Sequence, residues 1–392
     1  MRAMTGIPIL FLSCLALGQT HQHPAASSAD GRFNPYCVSD GKDGFYLAYI
    51  ERTGGKSNLF LRHTRDGKAL SPPVRVNDQP GDAVVRNENP PKLAIGLQGE
   101  VYVCWANERA RWKGNIRFAR STDHGKSFSP AMNLNSDAEG EPAGHAFQSI
   151  AVDSAGRIHV VWIDERAKKP SDRGAEIRLS SSQDGGKTFS RDRKILGDVC
   201  ECCRTTLQTD SVGRLLLSYR TVPSQGPMYR DIVVARSYDG GRSFIPGVVS
   251  RDGWEVPGCP VAGPALSLDS QDKIAVVWFT GGGERPGLYF ATSTDQGTTW
   301  SARRLLDPER KLGKHAHAVP AGNRILVAWD DLGESKLTAW GVIDFERSVV
   351  RQIASRPGII YPTVATNQNG VFVAGAQISV PDIAWRFDAT AP

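Results

Sequence analysis

The cysteines are the residues of this sequence whose types and spacing point most directly to chemistry. Four of the seven lie in two segments that join predicted strands: Cys200, Cys202, Cys203 and Cys259. In an exported protein the simplest expectation is a disulfide, for example between Cys259 and either Cys202 or Cys203. One bridge leaves two of the four thiols unexplained. Cys37 and Cys104 fall within predicted strands, where cysteine behaves as a small buried hydrophobic residue.

The same thiols, combined with histidines, offer an alternative to a disulfide. His145, His315 and His317 fall in joining segments of the same kind, and sulfur with imidazole suits copper or zinc. His315 and His317 are two residues apart, so on a strand both rings project from one side, which suits chelation. The Cys-x-Cys-Cys spacing is not that of a standard zinc ribbon. A copper or zinc site built on these cysteines and histidines is therefore the second interpretation.

An octapeptide repeat shows which elements must position these residues. Ser182–Phe189 reads Ser-x-Asp-x-Gly-x-Ser/Thr-aromatic, and three further copies occupy residues 121–128, 237–244 and 293–300. A shorter relic starts at Thr64. The copies start roughly 55 to 61 residues apart, a period typical of solenoids and propellers. The Ser and Asp side chains are suited to closing a turn, the Gly to a positive φ, and the aromatic residue to packing between neighbouring units.

Each repeat contains short β-rich segments bounded by Gly and polar turns, with no helical period. The clearest are the second strands: Phe45–Ile50, Val101–Trp105, Ile158–Trp162, Leu215–Tyr219, Ile274–Trp278, Ile325–Trp329 and Val371–Ala376. The pattern predicts an all-β fold, a β-propeller of four-stranded antiparallel blades. Seven blades are favoured and six are the alternative, within a single domain spanning residues 33–390. The last unit lacks a fourth strand, which we expect residues 31–34 to supply.

The octapeptide is similar to the Asp-box, the repeat of the sialidase (neuraminidase) superfamily. The Cys-x-Cys-Cys-Arg segment at residues 200–204 resembles an atypical subgroup of that superfamily. In such blades the Asp-boxes lie on one face. The loops between second and third strands, and the links between blades, lie on the other face, where function is expected. On that face the substrate-binding candidates are Arg86, Glu88, Trp254 and Tyr361. Three loops there begin with Glu-Arg, at residues 51–52, 108–109 and 165–166, and are expected to form a repeated salt bridge.

The resemblance also implies a chemistry and a catalytic set. Sialidases clamp a substrate carboxylate with three arginines, use a Tyr nucleophile and use an Asp as acid and base. The candidates for these roles are Arg204, Arg220 and Arg230, Tyr229 or Tyr361, and Asp231, Asp252 or Asp330. The Arg-Ile-Pro signature of the family is absent, since the chain has Arg32-Phe33-Asn34-Pro35. The first functional interpretation is a glycosidase acting on sialic-acid or other acidic glycosides without a cofactor. The alternative is a non-hydrolytic metal- or redox-linked binding propeller.

Composition and the first residues limit the partners and the location. The 392 residues carry a formal net charge of +6, with 40% hydrophobic and 22% charged residues, and no basic cluster predicts nucleic-acid binding. Residues 1–18 resemble a secretory signal peptide and residues 19–32 a flexible leader. Secretion or periplasmic export is expected, or a lipoprotein acylated at Cys14. No second apolar segment is long enough to span a membrane. The expected ligand is a carbohydrate or another small acidic molecule.

Overall fold

The structure is a computed structural model that describes residues 29–86, 88–256, 258–309, 313–334, 336–347 and 349–389. The predicted signal peptide, the acylation site Cys14 and most of the leader lie outside the described residues. Within the described ranges the regular structure is all β, and none of it is a helix long and apolar enough to cross a membrane.

Seven antiparallel sheets form seven blades, as the favoured prediction had it, rather than six. The first three blades each have four strands. Blade 1 has β1 (Gly31–Ser39), β2 (Phe45–Thr53), β3 (Lys56–Thr64) and β4 (Val74–Arg75). Blade 2 has β5 (Lys92–Ile95), β6 (Val101–Ala106), β7 (Ile116–Ser121) and β8 (Met132–Asn133). Blade 3 has β9 (His145–Val152), β10 (Ile158–Asp164), β11 (Ala175–Ser182) and β12 (Arg193–Val199).

The remaining four blades follow the same strand order, and the last has three strands in the described residues. Blade 4 has β13 (Thr206–Thr209), β14 (Leu215–Arg220), β15 (Ile232–Ser237) and β16 (Ile245–Ser250). Blade 5 has β17 (Ala265–Leu268), β18 (Ile274–Thr280), β19 (Gly287–Ser293) and β20 (Arg304–Leu305). Blade 6 has β21 (Gly313–Ala321), β22 (Arg324–Asp331), β23 (Leu337–Asp344) and β24 (Val349–Pro357). Blade 7 has β25 (Ile359–Asn367), β26 (Gly370–Gln377) and β27 (Ile383–Asp388).

The hydrophobic core lies between blades, which explains why the blades form a ring. The seven predicted second strands are all confirmed, within β2, β6, β10, β14, β18, β22 and β26. Every residue of β6 is buried, so this strand presents apolar side chains to both faces of its sheet. One continuous cluster joins Tyr102 and Phe118 of blade 2 to Ile158 and Trp162 of blade 3. A single blade exposes such faces to water, and stacking against neighbours buries them.

The ring closes by contact between the first and last blades, and the predicted closing strand is wrong. Residues 31–34 were expected to complete blade 7, but they begin β1, where Gly31 pairs with Arg52 of β2. Phe33 packs with the cluster between blades 1 and 2, which holds the segment in blade 1. The Arg32 amide donates to the Pro381 carbonyl at 2.9 Å, and its guanidinium pairs with Asp382 at 2.6 Å.

The Asp-boxes have the geometry that the sequence predicts. Ser182 Oγ donates to Asp184 at 2.8 Å and accepts the Gly186 N–H at 2.9 Å. Gly186 has a φ of 78°, in the left-handed region that favours glycine. The Phe189 ring meets the edge of Phe118 in the preceding blade, with ring centroids 4.7 Å apart. Each box therefore closes the turn after the third strand of its blade and plugs the gap to a neighbour.

The seven first strands surround the axis and place equivalent side chains at one height. In each blade one first-strand residue pairs with the fourth residue of the predicted second strand. These residues, which we call the axial ring, are Tyr36, Lys92, Ser149, Thr206, Ala265, His317 and Thr363. Two residues earlier, at the end of the axis that receives the links between blades, are the mouth positions. They are Asn34, Pro90, Phe147, Arg204, Gly263, His315 and Tyr361.

Candidate functional site

A cavity of about 330 Å³ runs along the axis and is lined by the first strands. All seven residues of the axial ring contribute to its wall. Glu88, Arg204 and Tyr361 line it at the mouth, and Ser39 and Thr366 line it toward the Asp-box face. The mouth is therefore where the residues of the predicted functional face reach the axis.

An ion pair crosses the axis at the mouth. Arg204, in the link that enters blade 4, donates from Nη1 to Glu88 Oε1 at 3.0 Å. Its other terminal nitrogen donates to the Ala316 carbonyl of blade 6. Glu88 Oε1 also lies 3.6 Å from His315 Nε2. Side chains from blades 2, 4 and 6 thus meet at one point, and the guanidinium is held by partners on two sides.

His315 and Asp330 form a buried dyad beside this pair. His315 Nδ1 lies 2.7 Å from Asp330 Oδ2, and the same oxygen accepts the Tyr361 amide at 2.9 Å. The rings of His315 and Tyr361 have centroids 4.3 Å apart. Burial by itself lowers the pKa of His315, but the Asp330 and Glu88 carboxylates outweigh burial and raise this pKa above its usual value. The protonated imidazole is therefore favoured more than it is in a free histidine.

Two buried polar atoms at the mouth have no hydrogen-bond partner among the described residues. They are Glu88 Oε2 and Asp330 Oδ1. Leaving such an atom unpaired costs about 1–3 kcal/mol, so native structures keep few of them. Two in one cluster indicate groups arranged for a ligand rather than for stability alone.

The predicted binding residue Arg86 lies in the same link as Glu88. Its guanidinium pairs with Glu108 at 3.1 Å and lies 5.0 Å from the centre of the Trp112 ring, which is 44% exposed. An exposed indole beside a buried cation is a surface on which a sugar ring can pack.

The expected salt bridge within each Glu-Arg pair is wrong for the second and third loops. In the second loop, Glu108 pairs with Arg86, and Arg109 donates to main-chain carbonyls. In the third loop, Arg166 pairs with Asp164 at 2.7 Å. The repeated dipeptide therefore serves a different set of partners in each of these two loops.

The structure separates the three arginines of the predicted carboxylate clamp, so the clamp is not assembled. Arg220 is fully buried and donates to the main-chain carbonyls of Ala262, Arg230 and Phe279. Arg230 donates to the Gly258 carbonyl at 3.0 Å and lies 3.4 Å from Cys200 Sγ. Both guanidinium groups therefore donate their hydrogen bonds to main-chain carbonyls at the junction of blades 4 and 5. Only Arg204 reaches the axis.

The acidic and aromatic candidates of blades 4 and 5 are also placed away from the axis. Asp252 accepts hydrogen bonds from Trp278 Nε1 and Ser250 Oγ, each at 2.7 Å, and pairs with Arg303. Asp231 accepts the Asp252 amide at 2.9 Å, and burial together with the Asp252 charge raises the pKa of Asp231.

The two aromatic candidates of this region behave differently from each other. Trp254 packs edge-on against Phe279, with ring centroids 5.5 Å apart, while Tyr229 is 41% exposed. In the described residues, neither they nor Asp231 and Asp252 line the axial cavity.

The cysteines form one disulfide and one buried thiol pair. Cys202 and Cys259 are bridged, as predicted, while Cys37 and Cys104 are buried as free thiols. Cys200 Sγ lies 3.4 Å from Cys203 Sγ. Burial opposes ionisation of Cys203, but the hydrogen bond from Cys200 and the Arg220 charge lower its pKa to about 7.

The predicted union of these cysteines with histidines does not occur. The sulfur cluster of Cys200, Cys202 and Cys203 includes no histidine among the described residues. His315 and His317 lie at the axis, and His145 instead contacts the Gly114 carbonyl at 2.6 Å. A metal site on the sulfur atoms alone is an alternative that these contacts do not test.

Lys92 is the residue of this region that sequence reasoning missed. It lies in the axial ring, is 8% exposed, and its Nζ lies 4.3 Å from the centre of the Tyr36 ring. Aligning the repeats could have found it, because most other blades have a small residue at this position. The equivalent residues of blades 3, 4, 5 and 7 are Ser149, Thr206, Ala265 and Thr363. A lysine where repeats carry small side chains marks a departure from the pattern.

Structures of several known enzymes share this fold at low sequence identity. A polysaccharide lyase, a PL25 ulvan lyase bound to -[GlcA(1-4)Rha3S]-, has a TM-score of 0.61 and 13% identity, covering 93% of this chain and 95% of that one. The NanB sialidase from Streptococcus pneumoniae has a TM-score of 0.52 and 11% identity, covering 92% of each chain. The polysaccharide lyase Uly1 has a TM-score of 0.56 and 8% identity, covering 86% of this chain and 85% of that one.

The family is shown by sequence. No curated protein sequence matches the chain closely enough to count as a relative. A sequence profile of the BNR repeat-like domain, however, matches residues 57–374, most of the propeller. The resemblance carried by the four Asp-boxes is thus confirmed, and the protein is a sialidase-like β-propeller that belongs to the BNR repeat-like domain family.

Proposed function

We propose that the protein is an enzyme that cleaves an acidic glycan at the mouth of the axial cavity. The observation that carries the proposal is the meeting of Arg204, the His315–Asp330 dyad and Tyr361 at that point. A guanidinium, a proton donor and a phenol within one cluster supply carboxylate recognition and proton transfer together.

Arg204 is the group that recognises the substrate carboxylate. Its planar guanidinium matches a carboxylate in two parallel hydrogen bonds, which a lysine does not reproduce. In the structure Glu88 occupies one side of this guanidinium. A substrate carboxylate takes the place of Glu88 or shares the guanidinium with it, and the unpaired Glu88 Oε2 is then free to accept a sugar hydroxyl.

His315 and Tyr361 are the proton-transfer groups. The Asp330 hydrogen bond fixes the orientation of the imidazole and favours its protonated form, so His315 acts as the acid. Tyr361, stacked against it, acts as the base. The positive charge of Arg204 and His315 stabilises negative charge that develops on the substrate carboxylate.

This set suits β-elimination from a uronate better than sialoside hydrolysis. Tyr361 in its phenolate form removes the proton at C5, next to the carboxylate held by Arg204, and becomes a neutral phenol. The electron pair forms a C4–C5 double bond, the C4–O bond breaks, and His315 protonates the leaving oxygen. Sialoside hydrolysis, the finer sequence prediction, relies on a clamp of three arginines, and Arg220 and Arg230 are engaged elsewhere. The similar lyase bound to a glucuronate-containing disaccharide supports the choice of a uronate.

Product analysis tests this proposal. The purified protein is incubated with glucuronate- and iduronate-containing polysaccharides and, in parallel, with a sialoside. We expect a rise in ultraviolet absorbance from a conjugated C=C bond and a product one water lighter than the hydrolysis product. Release of free sialic acid, or a saturated product from a uronate glycan, contradicts elimination. If no glycan of the panel is cleaved, the proposal fails.

Export is part of the proposal, since a polysaccharide substrate is met outside the cytoplasm. The signal-like residues 1–18 support it. Mass analysis of the N-terminus of the protein purified from culture medium or periplasm tests it. We expect a chain that starts near residue 19, while an acylated chain starting at Cys14 supports the lipoprotein alternative. An uncleaved N-terminus in the cytoplasm contradicts export.

A further inference from the structure

The axial ring below the mouth combines one cation with several hydrogen-bond donors and no carboxylate. Its seven members include one lysine, one tyrosine, one histidine and three hydroxyl residues, all of which line the cavity. In the described residues no hydrogen bond or ion pair holds the Lys92 ammonium group, whose neighbour is the Tyr36 ring at 4.3 Å. A buried ammonium without a counter-ion is costly, and proteins normally pair it.

We propose that the axial cavity is an oxyanion-binding site in which Lys92 supplies the charge and its ring neighbours supply hydrogen bonds. The ligand is a sulfate or a similar oxyanion, either free or carried by a sugar. The inference does not depend on the proposed cleavage reaction, because it concerns the ring and not the mouth.

The neighbours of Lys92 are arranged to donate. His317 Nδ1 accepts the Val364 amide at 3.0 Å, so the neutral imidazole carries its proton on Nε2. Burial lowers the pKa of His317 well below its usual value and raises that of Tyr36, so both are neutral donors. Ser149 Oγ accepts the Leu207 amide at 2.9 Å, which leaves its own hydrogen available. The Tyr36 and His317 rings meet edge to face, with centroids 5.2 Å apart.

The charges that surround the ring favour an anion. Arg204 lies at the mouth above Lys92 and repels it, while Glu88, the nearest carboxylate, is already paired with Arg204. Burial and Arg204 together lower the pKa of Lys92 to about 7. The remaining titratable neighbours are thiols: burial raises the pKa of Cys37 to about 12 and raises that of Cys104 as well. Both thiols therefore stay neutral and supply no counter-charge.

An anion that binds Lys92 must bind its protonated form, so affinity depends on pH. Below about pH 7 the ammonium is present, and above it the free protein must take up a proton to bind. The dissociation constant for sulfate should then rise by roughly tenfold per pH unit above that value. His315 also titrates, but it faces Glu88 and Asp330 rather than the ring.

Calorimetric titration with sodium sulfate, against sodium chloride at matched ionic strength, tests the site. We expect saturable sulfate binding by the wild type, lost in Lys92→Met. Lys273→Met is the matched control, because Lys273 also lies over an aromatic ring, 5.9 Å from the centre of Phe345, but outside the axial cavity. It should bind sulfate like the wild type. Lys92→Arg, which stays charged, should bind sulfate with an affinity that no longer depends on pH.

The same titration distinguishes a free anion from a sugar-borne one. A sulfated monosaccharide that competes with sulfate, while its desulfated parent does not, shows that the site accepts a glycan substituent. If neither sugar competes with sulfate, the site binds only the free ion. The proposal is overturned if the wild type does not bind sulfate, or if Lys92→Met binds it as tightly as the wild type. It is also overturned if the pH dependence persists in Lys92→Arg.

Discussion

Equivalent positions carry the same residues and contacts on the Asp-box face of the propeller and different residues at the mouth. On the Asp-box face, four turns repeat the same contacts: the Gly amide donates to the first Ser at 2.8 or 2.9 Å in every copy. Each Asp accepts a second hydroxyl at 2.5 or 2.6 Å. In these turns the repeated Ser, Asp and Gly groups are satisfied by one another.

At the mouth, seven equivalent positions carry seven different residues, and two buried polar atoms there have no partner within the described part of the chain. Arg204, His315 and Tyr361 occupy the same structural position in blades 4, 6 and 7, yet they supply a cation, an acid and a phenol. Identical turns stabilise the ring, while chemistry requires that the repeats differ. Substitutions on the two faces should therefore have separable effects.

The largest expected effect is on catalysis at the mouth. Arg204→Lys keeps the charge but loses the fork, so kcat/KM on the uronate glycan should fall by roughly 100-fold or more. Arg214→Lys is the matched control, since Arg214 pairs with Asp210 on the Asp-box face. Steady-state kinetics of both variants should separate them, with the control within about twofold of the wild type. An equal loss of kcat/KM in both variants would mean that catalysis is not confined to the mouth.

The disulfide should give the largest effect on stability. The Cys202–Cys259 bridge joins residues 57 positions apart, so Cys259→Ser should lower the free energy of unfolding by about 2–4 kcal/mol. Denaturant unfolding measures the loss. An unchanged stability in Cys259→Ser would contradict this assignment.

A single Asp-box substitution should cost stability and leave activity intact. Ser182→Ala removes the acceptor of the Gly186 amide inside a buried turn, so it should cost about 1–3 kcal/mol. The exposed Ser154 on the same face supplies the control, Ser154→Ala, with an effect within about 0.5 kcal/mol. Thermal unfolding and kcat on the folded protein are measured together. A loss of kcat in Ser182→Ala without loss of folded protein would contradict a purely structural role for this Asp-box.

The Asp-boxes should also stabilise the fold in a pH-dependent way. The Ser243 hydroxyl and amide hold the pKa of Asp239 at about 2. Because this folded-state pKa lies below the unfolded one, the carboxylate stabilises the fold above about pH 4, and this contribution is lost as pH falls toward 2. Urea unfolding across this range should show a shallower fall in stability for Asp239→Asn than for the wild type. Parallel curves would contradict the prediction.

The smallest expected effect is metal binding by the cysteine cluster. With Cys202 in the disulfide, Cys200 and Cys203 offer two thiolates, fewer than the three or four protein ligands of a typical zinc site. Elemental analysis after incubation with zinc or copper(I) should therefore find less than one metal per chain. Stoichiometric metal that disappears in Cys200→Ser would support the metal-linked alternative.

The sequence predicted what repeats and local chemistry control. The Asp-box turns, the seven second strands and a disulfide to Cys259 follow from spacing and residue type. The position of Phe189 between blades follows in the same way. Residues whose partners come from other blades were harder to assign. Arg220 was expected at a ligand, but main-chain carbonyls of the neighbouring link surround it.

His315 and Lys92 show the same limit from the opposite side. The sequence suggested His315 as a metal ligand, but its partners are Asp330 and Glu88, the latter some 230 positions away in the chain and across the axis. Lys92 is an ordinary lysine until the sheet register places it in the axial ring. Which side chains meet at the axis depends on the closure of the ring, and the spacing of repeats does not contain that information.

Hydrogen exchange with bound ligand shows whether the glycan binds at the mouth of the axial cavity. Tyr361→Phe removes the proposed base and keeps Arg204, so a glucuronate-containing oligosaccharide should bind without being cleaved. If the substrate binds at the mouth, amide exchange should be slower in residues 88–95, 200–209, 313–320 and 359–366 and unchanged in the four Asp-boxes. Protection confined to the Asp-box turns, with no change at the mouth, would contradict this binding site.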